Sequence, residues 1–281
     1  MSGIEQLLDN LKVDTAVIPY FSPINKFMAL RALPPQSGQE VTSAILDARQ
    51  WLRDRGVRRV IQIRSEQSRE GPLADPSIRA ETSPVGFSAE LFDYLGVGQP
   101  YEVDTELFSG ASIALRGLSN IDWNFFFHAF EWTRNSKLLE RQIEAIVGCR
   151  TDSANFAEAL GIMVATKAGI RSVRESFEKF NLSGNVPTLS VYIGPTRGNS
   201  RTGWVLSGDA ELANGNIRSQ WLAAFSRFSG NIEYVMIPHH GSILNYDDSI
   251  ISMSKAVKYF VAAKTKIVNG NPSHSTSSYY L

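Results

Sequence analysis

The chain has 281 residues, of which 43% are hydrophobic, so it can bury a substantial core as one large domain or two modest ones. Its 28 Lys and Arg residues balance its 28 Asp and Glu residues, which excludes a net field that would draw the whole molecule to nucleic acid or to an anionic membrane. No apolar run of about 18 residues and no signal-peptide pattern occurs, so we expect a cytoplasmic protein with no membrane segment. The single cysteine, Cys149, excludes an internal disulfide, and we interpret it as a small buried residue.

Helical and extended patterns alternate at the start of the chain. The apolar residues of GIEQLLDNL have helical spacing, and VDTAVIPYF, from Val13, predicts a short buried strand. An apolar stripe over residues 41–55 predicts one helix, with Gly56 as its stop. The segment RRVIQIRS then predicts a strand. This strand, helix, strand order indicates an α/β layer.

The middle of the chain is less regular. Residues 66–90 are rich in Pro, Ser and charge, and they predict a long, weakly ordered surface loop. The aromatic segment NIDWNFFFHAF, around Trp123, predicts a buried strand. Residues 138–147 and 166–180 have the apolar spacing of half-buried helices.

From Pro187 onwards, the pattern predicts strand TLSVYIG, a turn, strand GWVLSG, helix RSQWLAAFSRF and strand NIEYVMI. The strand GWVLSG ends at Gly208 and is followed by Asp209, at the kind of strand edge where α/β sheets place functional side chains. The glycine allows a sharp turn that aims the carboxylate into a crevice. Taken alone, a strand-end aspartate is more typical of a helix cap or a turn.

The last of these strands runs directly into His239 and His240, in EYVMIPHHGS, and the whole chain has only four histidines. One of the pair could bind a metal while the other orients it, contacts a substrate oxygen or serves a second ion. If the strands before Asp209 and His239 are neighbours, their ends face the same crevice. A carboxylate with imidazole is a ligand set that Zn²⁺ or Mn²⁺ accepts.

Four segments in this order, TLSVYIGP, VLSGDAEL, IPHHGS and NPSHS, resemble the metallo-β-lactamase superfamily, in particular the branch related to the competence protein ComEC. The similarity is strong only from about residue 185. A weaker similarity at residues 1–23 matches the segment that follows the His-x-His-x-Asp-His signature of that family. The resemblance implies an αββα sandwich and one or two Zn²⁺ or Mn²⁺ ions, with Asp209, His239, His240 and His274 as candidate ligands.

The sequence departs from the family pattern at two places. The His-x-His-x-Asp-His signature is absent, since the first histidine is His128, which we interpret as a core histidine bonded to the backbone. The histidine of the usual late Gly-His-Pro-Ser segment is replaced by Asn271, and His274 follows three residues later. Truncation and genuine degeneration both account for the missing signature. The abrupt start favours truncation, and metal binding is expected to be weak or absent.

These observations predict an α/β fold, a single metallo-β-lactamase-like sandwich over residues 1–281. It is N-terminally incomplete, with an inserted or variable helical region at 24–185 and the best-matching half at 186–281. An exposed sheet edge predicts homo-oligomerisation.

The expected function is that of a hydrolase in which metal-bound hydroxide attacks a phosphoester, ester or amide. Asp209 and one histidine would hold the metal, and Ser242 would contact substrate or orient the loop. Half of the site is missing, so the chain as it stands could be inactive. The alternative is a degenerate, non-catalytic binding or scaffold protein. A nucleic-acid substrate is suggested by the family analogy alone, and no organic cofactor is expected.

Overall fold

The computed structural model describes residues 2–32, 39–65, 86–87, 105–115, 123–130, 136–178, 188–195, 202–238, 245, 247–250, 258–261, 266–268 and 271–273. Helices and sheets both occur, so the protein is mixed α/β. The chain divides into two compact units. The first consists of Met1–Glu70, Pro100–Leu107 and Glu131–Pro187, and the second of Gly71–Gln99, Phe108–Phe130 and Thr188–Leu281. No helix within the described ranges is long and apolar enough to cross a membrane.

The first unit combines a small sheet with helices. Its elements are α1 (Ser2–Asn10), β1 (Thr15–Pro19), α2 (Pro23–Ala32), α3 (Gln39–Leu46), α4 (Ala48–Arg53), β2 (Arg59–Arg64), most of β4 (Thr105–Phe108), α5 (Ser136–Val147), α6 (Phe156–Val164) and α7 (Lys167–Glu178). The strands form a sheet of order β1-β2-β4, in which β1 and β2 are parallel. One core cluster joins α2, α5, α6 and α7 through Phe27, Ile143, Leu160 and Val173, and Cys149 packs half-buried against it.

The predicted helix over residues 41–55 is wrong in one respect, because it is interrupted at Asp47. The Asp47 carboxylate accepts a hydrogen bond from the backbone N–H of Gln50 at 3.0 Å and thereby caps α4 as a new helix. Aspartate is favoured at this position because its side chain accepts a hydrogen bond from a backbone N–H that has no partner within the first helical turn. The predicted stop is confirmed, since Gly56 adopts a positive φ of 83°.

The second unit is dominated by one sheet. Its elements are β3 (Gly86–Phe87), β5 (Ser112–Leu115), β6 (Trp123–Ala129), β7 (Leu189–Pro195), β8 (Gly203–Leu206), α8 (Gly215–Ser226), β9 (Ile232–Met236), β10 (Lys258–Phe260), β11 (Lys266–Val268) and β12 (Asn271–Ser273). Seven of the strands form a sheet of order β10-β9-β8-β7-β6-β5-β3, and β11 pairs with β12. Strands β8, β9 and β10 are mutually parallel, whereas β7 is antiparallel to both β6 and β8.

Helix α8 covers one face of this sheet. Trp221 and Phe225 of the helix are fully buried in a cluster with Tyr192 of β7, Val205 of β8 and Val235 of β9. Alternate residues of the strands point to this cluster, as the twofold repeat of a strand requires. Trp204, one residue before Val205, is instead 38% exposed and stacks on Tyr234 at a centroid distance of 4.2 Å. The helix therefore packs across the three neighbouring strands β7, β8 and β9.

Most of the predicted strands and helices are confirmed at the residues that the structure describes. The predicted loop at 66–90 lies outside those residues except for Gly86–Phe87, which forms β3. The predicted insert at 24–185 contains α2–α7 but also strands β2–β6. The single-domain organisation and homo-oligomerisation stay predictions.

Candidate functional site

The candidate site begins at the edge where β8 and β9 end. These strands are parallel neighbours, and their last residues, Leu206 and Met236, pair directly. Asp209 and His239 each lie three residues further along the chain. The sequence-based expectation that the strands before Asp209 and His239 are neighbours in one sheet is therefore confirmed.

The backbone of Asp209 is fixed by hydrogen bonding, whereas its side chain lies at the surface. Gly208 has a φ of 58°, in the left-handed region that favours glycine, and turns the chain immediately before the aspartate. The backbone N–H of Asp209 then donates to Thr188 Oγ1 at 3.0 Å. Thr188 lies just before β7 and accepts a second hydrogen bond, from the N–H of Phe130 to its carbonyl, at 3.1 Å. The turn is thus anchored to the starting end of β7.

The residues after Asp209 are anchored as well. Ala210 and Leu212 are fully buried, so they tie the segment to the core on the far side of the aspartate. Arg218 of α8 donates to the carbonyls of Leu212 and Ala213 at 3.1 and 3.3 Å, and its guanidinium lies 2.8 Å from the Asp247 carboxylate. Asp209 therefore projects from a short segment that is fixed at both ends.

Buried hydroxyls connect the strands directly below this edge. Ser190 Oγ of β7 donates to the carbonyl of Ser207 at 2.8 Å and accepts a hydrogen bond from Trp221 Nε1 at 3.2 Å. Ser207 Oγ donates to the carbonyl of Met236 at 2.5 Å. Both serines and the tryptophan are fully buried, where polar groups without partners are costly. The chain of hydrogen bonds runs from α8 across β7 and β8 to the end of β9.

Only part of the predicted site lies within the described residues. His239, His240, Ser242 and His274 all lie outside them, whereas Pro238, immediately before the histidine pair, is buried. Within the described ranges, no group of three or more His, Cys, Asp or Glu side chains could hold a metal ion. The roles assigned to the histidines and to Ser242 stay predictions.

The late segment that resembles Gly-His-Pro-Ser forms a short strand. Asn271 begins β12 and pairs with Val268 of β11, so it lies in a two-stranded antiparallel ribbon. His274 is the next residue after the end of β12. The ribbon leads the chain directly to this fourth candidate ligand.

His128 lies in the strand that the sequence predicts, β6, but it is half-buried and not fully in the core, and its partner is a side chain and not the backbone. Its Nδ1 lies 3.0 Å from Ser109 Oγ, which also accepts the backbone N–H of Ala129 at 3.1 Å. The ring packs edge-on against Phe130, and Nε2 is buried without a hydrogen-bond partner among the described residues. Burial lowers the pKa of His128 to about 4, so the ring is neutral at physiological pH.

Gly208 and Asp209 could be identified from the sequence, whereas the hydroxyl partners around them could not. Thr188 lies 21 residues from Asp209 along the chain, and Ser190 lies 31 residues from Trp221. No local spacing could have indicated these pairs.

Comparison with protein-family models, with curated proteins and with solved structures found no match.

Proposed function

We propose that this protein is a metal-dependent hydrolase of the metallo-β-lactamase superfamily, of the branch related to ComEC, built on an αββα sandwich. The observation that carries the proposal is the parallel pairing of β8 and β9, with Leu206 opposite Met236. This register supports a shared site because Asp209 and the His239–His240 pair follow matched strand ends. Ligands and catalytic groups commonly gather at such strand ends in α/β proteins.

The donor chemistry of these residues fits the implied metal. Asp209 offers a carboxylate at the surface, on a backbone that Thr188 and the buried Ala210 hold in place. Oxygen from a carboxylate and nitrogen from imidazole form a mixed set that suits Zn²⁺ and Mn²⁺. When bound, the metal would acidify a water molecule and polarise the bond to be cleaved, which makes hydrolysis accessible near neutral pH.

The residues of this chain divide the remaining tasks. Asp209 and one of His239 and His240 would hold the ion, and the other histidine would orient its neighbour or donate a hydrogen bond to a substrate oxygen. Ser242 would orient the loop or contact the substrate, and His274 would add a ligand after β12. The substrate classes compatible with this chemistry are phosphoesters, esters and amides. A nucleic-acid phosphodiester is one member of the first class.

The proposed site is incomplete compared with an intact member of the family. Catalytic zinc usually has three protein ligands and one water, whereas Asp209 and one histidine of the pair supply two, and the third would have to come from His274. We therefore expect weak metal binding and slow turnover from this chain. A non-catalytic binding protein on the same fold is the alternative.

Metal stoichiometry on the purified protein tests the proposal. Elemental analysis after equilibrium dialysis against saturating Zn²⁺ or Mn²⁺ should give about one ion per chain for the wild type above the dialysis buffer. The double variant Asp209→Ala, His240→Ala should lose that ion. Asp9→Ala is the matched control, because it removes an exposed carboxylate from α1, an element that supplies no residue of the proposed site. Absence of metal from the wild type as well as the double variant would favour the non-catalytic alternative.

Activity is then measured on chromogenic substrates. Bis(p-nitrophenyl) phosphate, p-nitrophenyl acetate and a p-nitroanilide represent the three substrate classes. Metal-dependent release of chromophore by the wild type and by Asp9→Ala, but not by the double variant, would support the hydrolase function. Equal release by all three proteins would refute it, because the activity would then not depend on the proposed site.

A further inference from the structure

We propose that the hydroxyls of Thr188 and Ser207 are positioning groups that fix the Asp209 turn and the end of β9, the two segments that lead to the candidate metal site. Thr188 fixes the turn that carries Asp209, and Ser207 fixes the end of β9. We call these two hydroxyls, together with that of Ser190, the strand-end clamp. The inference rests on the proposed function, since it assigns the clamp to the same site.

Thr188 acts on the candidate ligand through the peptide group of that residue. Its hydroxyl accepts a hydrogen bond from the Asp209 N–H at 3.0 Å, and its carbonyl accepts one from the N–H of Phe130 at 3.1 Å. The hydroxyl is therefore anchored where β6 ends and β7 begins, in the interior of the sheet. An exposed N–H can be satisfied by water, so the turn does not need this acceptor for solvation. The bond restricts the backbone of Asp209 before any ion arrives, which lowers the ordering cost of binding.

Ser207 acts on the neighbouring strand end. Its hydroxyl donates to the carbonyl of Met236, two residues before Pro238. The register of β8 and β9 shifts between Gly203 and Trp204, at the opposite end of the pair. At the end that leads to the site the backbone ladder is regular, since Leu206 pairs directly with Met236. The bond from Ser207 Oγ to the Met236 carbonyl adds a side-chain link to the backbone ladder at this end of the pair.

The composition of the clamp supports a positioning role over simple packing. Ser190 and Ser207 are fully buried at positions where alanine or valine would fill space without needing a partner. Trp221 Nε1 is directed to Ser190 Oγ, so the hydroxyl of Ser190 donates to the Ser207 carbonyl and not to the helix. Each residue in this series donates a hydrogen bond to the next, so the bonds connect α8 to the end of β9. Such networks specify geometry beyond what apolar contacts achieve.

The decisive variant is Thr188→Val, which removes the hydroxyl and keeps the shape of the side chain. Thr188→Ser retains the hydroxyl and serves as the conservative rescue. Ser219→Ala is the matched control, since it removes an exposed hydroxyl of α8 that donates to the Gly215 carbonyl at 2.8 Å. The Zn²⁺ affinity of each protein is measured by competition with a chromogenic chelator, and the thermal midpoint of the metal-free protein is measured in parallel.

Thr188→Val should bind Zn²⁺ about 10-fold more weakly or worse, the usual effect of losing an outer partner of a metal site. Thr188→Ser and Ser219→Ala should bind like the wild type. A purely structural role would instead lower the thermal midpoint of Thr188→Val without changing the affinity of the folded protein. If the wild type binds Zn²⁺ and Thr188→Val binds it equally well, the inference is overturned while the proposed function stands.

Hydrogen exchange of the metal-free protein gives a readout that does not depend on zinc. The Asp209 amide should exchange faster in Thr188→Val than in the wild type and in Thr188→Ser, because its acceptor is gone. Unchanged exchange would show that the hydroxyl does not restrain Asp209, which overturns the inference. A wild type that binds no zinc would overturn both proposals, and the exchange rates would then still report whether the turn is restrained.

Discussion

Replacement of Gly208 by alanine should destabilise the second unit more than replacement of another glycine with positive φ. Gly208 and Gly110 have φ values of 58° and 94°, so both substitutions force alanine into backbone conformations that L side chains rarely adopt. That strain costs about 1–2 kcal/mol. A Cβ at Gly208 would in addition lie 2.8 Å from both the Leu189 carbonyl oxygen and Thr188 Oγ1, whereas a Cβ at Gly110 would meet nothing within 4 Å. Relief of such overlaps typically costs about 1–3 kcal/mol more.

Urea unfolding followed by tryptophan fluorescence and by circular dichroism measures this difference. We expect Gly208→Ala to unfold about 1–3 kcal/mol more easily than Gly110→Ala, with similar dependence on urea concentration. The Asp209 turn should also be displaced, because the new Cβ meets the hydroxyl that accepts the Asp209 N–H. Equal midpoints for the two variants would refute the argument that the turn at Gly208 is closely packed against β7.

Two further predictions concern buried polar groups of the second unit. Burial lowers the pKa of His128 from 6.5 to about 4. The unfolded chain therefore takes up a proton at a higher pH than the folded protein does, so stability falls by up to about 3 kcal/mol as the pH drops from 6.5 to about 4. Urea midpoints at pH 7.5 and 4.5 should therefore differ more for the wild type than for His128→Asn, and equal differences would contradict this origin. Trp221→Phe removes the donor to Ser190 Oγ and should cost about 1–3 kcal/mol in urea unfolding. A variant as stable as the wild type would show that this bond contributes nothing.

Where the local apolar pattern is strong, the predicted strands and helices agree with the structure. The strands β7, β8 and β9 and the helix α8 follow from short apolar runs separated by turn residues, and their order led to the expectation that Asp209 and His239 follow neighbouring strands. The prediction failed where an apolar stripe and a helix-capping residue occur in the same segment. The apolar stripe over residues 41–55 predicts one helix, but the capping side chain of Asp47 divides it into α3 and α4.

Two helices, α2 and α6, have no clear amphipathic signal. Apolar residues occupy more than one side of α6, since Phe156, Leu160 and Val164 are buried while Ile162 is 68% exposed. Such a helix is identified by its tertiary packing and not by its period.

The hydrogen-bond partners of His128 and Asp209 lie in distant parts of the chain. Ser109 is 19 residues from His128, and Thr188 is 21 residues from Asp209. A hydroxyl gives no periodic signal, and serine or threonine in a strand is usually interpreted as an ordinary surface residue. The strand pairing had to be known before Thr188, Ser190 and Ser207 could be related to the site.

The most direct test of the account is a double-mutant cycle on metal affinity. The Zn²⁺ dissociation constant is measured for the wild type, for Asp209→Ala, for His239→Ala with His240→Ala, and for all three changes together. If Asp209 and the histidines bind the same ion, each partial variant should lose most of the affinity and the combined variant should lose little more, since the losses are not additive within one site. Independent, additive losses, or a wild type without measurable Zn²⁺ binding, would contradict the claim that the ends of β8 and β9 form one metal site.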